Sequence, residues 1–432
     1  MAPKNERKLS EADLIKNLRI IFKPEHIEQP NSSNYESGHY FQVGKQAWRL
    51  NPKESIKFNE TVQALHSRFP KVHFKTCQSY LERFCCKEFP QNYDLFGLKI
   101  PELFAQLQKE QINRSVVAIE VSGLRLDTEP FSFGQFEFVS SEDTSLDDLR
   151  DQIRDENGCP PPELPTDRVL AKIGLQGDSE FTRDSAKLLL QQALDVLQFV
   201  TAPKNPSLLR DETVQGFSFY IGEDRLPATE RVWSYNTHPK EAWNSFRSNA
   251  KISYNSLPKF QPTFDSNTIK DLQEFGWEQF DILLTKQRFS YFERNLLAAV
   301  TWFARAVRDV DPARKFVDLF ISLETLFSND KKAPEKERNG AFNTREGVAY
   351  FLGKTTEQRL SLHPDVHQLA STRNKVVHSG YSIIEEGDLY RLFDLTFSSI
   401  LKALDFTEQF TEPSSFTKWA KRIKLGDEVK VD

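Results

Sequence analysis

Residues 311–327 read DPARKFVDLFISLETLF, and residues 363–378 read HPDVHQLASTRNKVVH. Placed at about 100° per residue, both are amphipathic helices. Asp311 and Pro312 supply an N-cap and a first helical position. The apolar arc of the first helix holds Phe316, Val317, Phe320, Ile321 and Phe327, and Glu324 falls inside it. The apolar arc of the second holds Val366, Leu369, Ala370, Val376 and Val377, and Arg373 falls inside that one. A separate polar stripe carries His367, Ser371, Asn374 and His378, spaced four, three and four apart. A charge on a core face must find a partner, because unpaired burial costs several kcal/mol. Two arrangements satisfy the pattern. Glu324 and Arg373 form a structural bridge, with His378 bonded to a carbonyl at its helix end. Alternatively, Arg373, Asn374 and His378 converge on an anion.

Working outward, residues 278–432 read as an all-α bundle. Residues 291–308 repeat Phe292, Leu296, Ala299, Val300 and Phe303 at helical spacing. Residues 328–343 read as a charged loop, 344–352 as a helix closed by Gly353, and 363–378 as a helix ended by Gly380. Residues 387–406 form the last long helix. The tail beyond Pro413, with Lys418, Lys421, Arg422 and Lys424, reads as a solvated or mobile end. Residues 111–277 hold the strand signals. SVVAIEVSGLRLD (115–127) and FSFGQFEFV (131–139) predict a β-hairpin joined through 128–130. Residues 217–221 and 231–235 are further strands. Residues 181–200 form a helix, with Asp184 and Ser185 near its start. Residues 157–165, with four prolines, form a loop. Residues 1–110 mix helical patterns (Leu14, Leu18, Ile21, Phe22; Val62, Leu65, Phe69; Tyr80, Leu81, Phe84) with a polar loop at 28–38. The fold class is α+β: a mostly helical N-terminal region, a β-containing middle region and a C-terminal helical bundle.

Composition excludes several functions. The 432 residues carry a net charge of −5, against a globally basic nucleic-acid binder. The charge is uneven. Residues 281–432 hold 23 basic and 22 acidic residues, a net of +1, which leaves 57 − 23 = 34 and 62 − 22 = 40, a net of −6, before them. No apolar run approaches the ~18 residues of a membrane helix, and the polar N-terminus predicts no secretory signal. Four cysteines (Cys77, Cys85, Cys86, Cys159) are too few for a disulfide scaffold, so reducing cytosol is the expected compartment. Glycine-rich phosphate loops are absent. His363 and His367 stand four apart, but Pro364 follows the first and no further ligand pattern completes a metal set, so no metal and no cofactor is expected. Phenylalanine is abundant, with 35 copies against one methionine.

The run RNKVVH at 373–378 resembles the signature of the HEPN superfamily: an Arg, a polar residue after it, and a His four to six residues further on, at the end of a helix in an all-α bundle. Ser379 and Gly380 follow, like the small residues that often trail that motif. FISLETLF at 320–327 looks like the preceding helix of the Apea-like HEPN group, and 117–139 looks like the β-rich part before the bundle. The resemblance implies a metal-independent endoribonuclease active as a homodimer through the bundle, with RNA as substrate and no membrane partner. It implies a toxin-like or antiviral defence effector whose first two regions sense a trigger, position RNA or restrain activity. Arg373, Asn374 and His378 would be catalytic, Glu324 would fix Arg373, and His367, Ser371 and Lys375 would be available to touch RNA. A basic loop (Lys331, Lys332, Lys336, Arg338) could touch RNA backbone or simply be solvated. The alternative is a non-catalytic RNA-binding or dimerisation module.

Overall fold

A computed structural model describes residues 10–22, 26–28, 40–43, 46–88, 95–126, 129–143, 146, 168–204, 220–221, 229–236, 244–249, 263–309, 311–328, 340–380, 383–412 and 415–425. Helix α1 (Glu11–Ile21) opens with a reciprocal cap between Ser10 and Asp13. Strands β1 (Ile27–Glu28), β2 (Tyr40–Val43) and β3 (Gln46–Leu50) form a small sheet in the order β1-β3-β2. Helices α2 (Pro52–Arg68), α3 (Phe74–Glu88) and α4 (Leu95–Ile112) complete this part. Leu14, Leu18, Ile21, Phe22, Val62, Leu65, Phe69 and Leu81 are buried in one cluster, as their helical spacing requires. The expected loop at 28–38 lies outside the described residues, apart from Glu28 at the end of β1.

The middle of the chain builds an antiparallel sheet from β4 (Arg114–Ser122), β6 (Phe131–Phe133), β7 (Phe136–Ser140), β8 (Val169–Gln176), β10 (Thr229–Asn236) and β11 (Asn244–Asn249). The strand order is β11-β10-β4-β8-β7-β6, and β9 (Tyr220–Ile221) also pairs with β4. The short β5 (Arg125–Leu126) pairs in parallel with β12 (Thr263–Phe264). The predicted hairpin is corrected here. The run 131–139 is not one strand but two, because Gly134 takes φ +60° and turns the chain. A Cβ at Gly134 would stand 2.7 Å from the Leu284 side chain, so only glycine makes this turn without displacing that neighbour. Instead, β4 lies between β8 and β10. Strand 231–235 is present within β10; of 217–221 only β9 is described, and 157–165 lies outside the described residues.

Helix α5 (Ser179–Thr201) follows β8 directly. Its cap is Asp178, not a residue near 184, and Asp184 and Ser185 sit inside it. Asp178 does two jobs. Its Oδ1 accepts from the Phe181 N–H at 2.7 Å, and its Oδ2 accepts from the His73 N–H, also at 2.7 Å. The turn before α3 is thereby tied to the turn before α5. Val117, Ile119 and Val121 of β4 join Ala186, Leu190, Leu194 and Leu197 of α5 in the main core.

After α6 (Ser266–Leu272) come α7 (Trp277–Thr285), α8 (Tyr291–Arg308), α9 (Pro312–Leu326), α10 (Gly340–Leu352), α11 (Thr356–Ser379), α12 (Glu386–Leu404) and α13 (Ser415–Lys424). Asp311 caps α9 as expected, accepting from the Ala313 N–H at 2.9 Å. Two corrections apply. Helix α11 begins at Thr356, not 363, with a reciprocal Thr355–Gln358 cap. Pro364 lies inside it at an exposed position, where the one missing backbone bond can be made good by water. The tail is not a free end: residues 415–424 are helical, with Phe416, Trp419, Ala420 and Ile423 buried. The main apolar core runs without a break from the sheet through α5 into this bundle.

Arg308 of α8 reaches Asp195 of α5 at 2.8 Å, and Asp195 is 2% exposed. Gln191 also donates to that carboxylate at 2.9 Å. Removing the arginine strands a buried charge, which costs about 3–5 kcal/mol, whereas replacing both partners by apolar groups is close to neutral. Urea unfolding should therefore find Arg308→Met strongly destabilised and the Asp195→Leu/Arg308→Met double variant largely restored. Equal losses in the two would show that the pair does not hold this junction.

Candidate functional site

The two charges that the sequence places on core faces do meet. Arg373 of α11 donates through Nη2 to Oε2 of Glu324 on α9 at 3.1 Å, and each side chain is about a quarter exposed. The guanidinium carbon lies 5.9 Å from the Phe320 ring centre, so the helix that supplies the carboxylate also supplies an aromatic wall. Arg373 Nη1 donates to Oδ1 of Asn374 at 3.1 Å. Arg373 Nε is buried without a hydrogen-bond partner. Burial pushes the Glu324 carboxyl above its ordinary range, and the Arg373 charge opposes that rise.

Helix α11 is held by its buried stripe Val366, Leu369 and Ala370. Thr372 adds a 3.4 Å bond from its hydroxyl to Asp388 of α12. Beyond Ala370 no residue of α11 is fully buried. Ser371, Asn374, Lys375, Val377, His378 and Ser379 are exposed, and Arg373 and Val376 are half-buried. Val377, expected on the apolar arc, is 50% exposed, because these last turns extend past the residues that bury the earlier ones. Gly380 ends the helix with φ +64°, and its N–H donates to the Lys375 carbonyl. His378 therefore stands on the final turn in solvent, on the same exposed arc as Asn374. Among the described residues no hydrogen bond joins it to a carbonyl.

His367 and Ser371 lie on that arc toward the N-terminus of α11. His367 is engaged by a residue that the sequence did not single out: Arg345 of α10 places Nη1 3.3 Å from His367 Nδ1. The two are 22 apart in the chain. Periodicity within one helix carries no signal for this pairing, which comes from the packing of α10 beside α11. The basic loop carrying Lys331, Lys332, Lys336 and Arg338 lies outside the described residues.

Among the described residues no group of three or more His, Cys, Asp or Glu is placed to hold a metal ion. Cys77 and Cys85 are buried, and burial pushes the Cys77 thiol up to about 12, which makes it a poor nucleophile. Among the described residues no helix is long and apolar enough to cross a membrane. The arrangement can present a fixed guanidinium, an amide and an imidazole on one exposed helix end. No protein-family model, curated protein or solved structure matches this chain.

The ion pair carries a pH-dependent prediction. Arg373→Ala leaves Glu324 half-buried and unpaired, at a cost of about 1–2 kcal/mol at neutral pH after allowance for its partial exposure. The variant's Glu324 carboxyl rises further, because burial remains and the opposing charge is gone. A group whose folded value is raised loses stability as pH climbs through that value. The deficit of Arg373→Ala relative to the parent should thus be largest at pH 7 and should shrink as pH falls toward the ordinary carboxylate value of 4.5. Chemical denaturation at several pH values measures it, and a pH-independent deficit would exclude the charge as its cause.

Proposed function

We propose that the chain is a metal-independent endoribonuclease that cleaves RNA through its own 2′-hydroxyl. The observation that supports it most is the held Arg373 beside an exposed Asn374 and His378 at the end of one bundle helix. RNA carries its nucleophile, so the protein need only move protons and stabilise charge. An imidazole gains and loses a proton near neutral pH. His378 can take the 2′-OH proton or deliver one to the leaving oxygen. Arg373, permanently charged and forked, can hold the phosphate as negative charge builds on it. Its bond to Glu324 sets the guanidinium in one place before substrate arrives. Asn374 gives its carbonyl to Arg373, which leaves its amide N–H groups to donate to a phosphate oxygen.

One protomer brings one histidine, while transesterification uses both a base and an acid. A second copy facing the first would supply the other, with each cleft drawing on both chains. Half-exposed Val377 and strongly exposed Ile383 flank His378 in sequence and would be covered in such a dimer. A defence or toxin-like role rests on the family resemblance alone. A second reading is a non-catalytic RNA-binding or dimerisation module. It is favoured by the commitment of Arg373 to Glu324 and by the lack of a group orienting His378 among the described residues.

In EDTA, the full chain should cut single-stranded RNA and leave cyclic-phosphate or 3′-phosphate ends. His378→Ala should lose at least ~100-fold in rate while its thermal unfolding stays unchanged. Cleavage persisting in that variant would sink the mechanism, and RNA bound but never cut would favour the binding module. Val377→Glu should convert a dimer to monomer by light scattering and abolish cleavage with it. Full activity in a monomeric Val377→Glu would remove the dimer from the proposal.

A further inference from the structure

Among the described residues the chain buries two separate apolar clusters, one ending at Leu107 and one starting at Val117. The parts they belong to meet between residues 71–73 and 176–184, and hydrogen bonds join them there. The Asp178 N–H donates to the Lys71 carbonyl at 3.2 Å, and Lys71 Nζ donates to Gln176 Oε1 at 2.9 Å. A Cβ at Gly177 (φ +141°) would collide with the Lys71 carbonyl, so glycine lets the two segments come this close. The His73 ring lies in the same seam, a quarter exposed, against the first turns of α5. Its Nδ1 stands 3.0 Å from Glu180 Oε2 and 3.2 Å from the Lys75 backbone nitrogen, and its Nε2 stands 3.6 Å from Asp184 Oδ2. These neighbours make opposite demands. The Lys75 N–H needs a bare Nδ1 to accept it, and the Glu180 carboxylate needs an Nδ1 that carries a proton. A neutral ring has one proton and serves Glu180 or Asp184, not both. A ring with two protons donates toward both carboxylates and gives up the Lys75 N–H.

We propose that His73 is a proton-operated latch between the N-terminal part of the chain and α5: proton uptake by the ring tightens the seam, and proton loss loosens it. The latch is independent of the ribonuclease reading. From the start of α5, Asp178, Glu180 and Asp184 bring three carboxylates to the seam. Asp178 is committed to the His73 and Phe181 N–H groups, which leaves Glu180 and Asp184 to answer the ring. Arg183 Nε stands 3.4 Å from the other oxygen of Asp184, so that carboxylate is shared between the ring and an arginine. On the ring's own side, Lys71 is bonded to Gln176, Lys75 is a like charge two residues on, and the buried Cys77 thiol stays neutral. His66 turns its Nδ1 to the Val72 carbonyl at 2.8 Å and away from these acids. When the seam opens, the ring loses both carboxylates, so docking and proton uptake reinforce each other. The seam is therefore stronger on the acid side of neutrality, where an imidazole is charged and these carboxylates remain ionised.

Hydrogen exchange of the full chain reads the latch through the two backbone amides that donate across the seam, those of His73 and Asp178. Corrected for intrinsic rates, their protection should be about fivefold higher near pH 5.5 than near pH 8, the size expected of two partly exposed ion pairs. His73→Gln keeps a donor in the seam but cannot take up a charge, and it should lose that difference. The Glu180→Gln/Asp184→Asn variant keeps the ring and removes the charges that answer it, and it should lose the difference too. All three side chains are at least a quarter exposed, so these variants keep their cores, and circular dichroism checks that they do. Amides of α8 should show no comparable change. A wild-type seam that responds to pH no more than His73→Gln would overturn the latch. So would a response that survives in the double variant, or one shared equally by α8, because the titration would then lie elsewhere or act on the whole fold.

Discussion

The second half of α5 has no face left for water. Every residue from Ala193 to Ala202 is buried, with the sheet against one side and the bundle against the other. Phe199 lies at the centre of that contact. Its ring stands 4.6 Å from Phe397, 5.0 Å from Phe303 and 5.5 Å from Phe280, which joins α5 to α12, α8 and α7. A helix enclosed this way can only exist if both flanking layers form, so sheet and bundle share one core. The same logic makes sense of the phenylalanine content. A second aromatic group, with Phe351 5.0 Å from Phe406 and Trp419 5.2 Å from Phe406, closes the other end of the bundle. Rings stacked or edge-on supply large buried area with few rotatable bonds, and these two groups use them where several elements converge.

That enclosure carries polar cost, which is left unmet at the buried Gln198 amide but is met at Asp195. Asp195 is buried on α5 and is answered by Arg308 and Gln191. Glu324 is half-buried on α9 and is answered by Arg373. The two pairs differ in a way that matters for function. The Asp195–Arg308 pair sits inside the core, with both side chains mostly covered. The Glu324–Arg373 pair sits where α11 emerges from the bundle, with an exposed amide beside it and an exposed imidazole one turn further on. A charge pair at such an edge is half structural by position. Arg373 Nη2 answers the Glu324 carboxylate, while Nε stays buried without a partner.

The helices that carry the candidate site were legible because their signals are local. Asp311-Pro312 marks a start and Gly380 a stop; of the expected arc, Phe316, Phe320 and Phe327 are buried, while Val317 and Ile321 are half-buried and Leu319, Leu323 and Leu326 take their place in the core. The Glu324–Arg373 contact was one of the two arrangements that the misplaced charges left open, and the structure contains it. The errors arose where tertiary context outweighs local pattern. FSFGQFEFV alternates like a strand, yet the fold turns at Gly134. The strand VLAKIGLQ, which pairs with β4, carries no alternation that separates it from a buried helix, and the sequence reading missed it. The tail 415–424 looked solvated by its lysines, although Phe416, Trp419 and Ile423 share one face and dock. Arg345 beside His367 could not be found from sequence at all, because it depends on which two helices become neighbours.

Arginine is the residue type that lets the structural and functional readings of position 373 hold together. Its guanidinium has five N–H groups. One on Nη2 goes to Glu324, one on Nη1 goes to Asn374, and Nε is buried. One N–H on each terminal nitrogen remains for a further acceptor. A lysine here could satisfy Glu324 as a point charge, but it has neither the second arm for Asn374 nor the paired donors for an oxyanion. The near-neutral charge of the bundle fits the same economy. Under the proposed reading, a bundle of net charge +1 would engage nucleic acid through a few fixed donors rather than through a general field. On that same reading, the bridge that anchors Arg373 would thereby take part in holding the substrate.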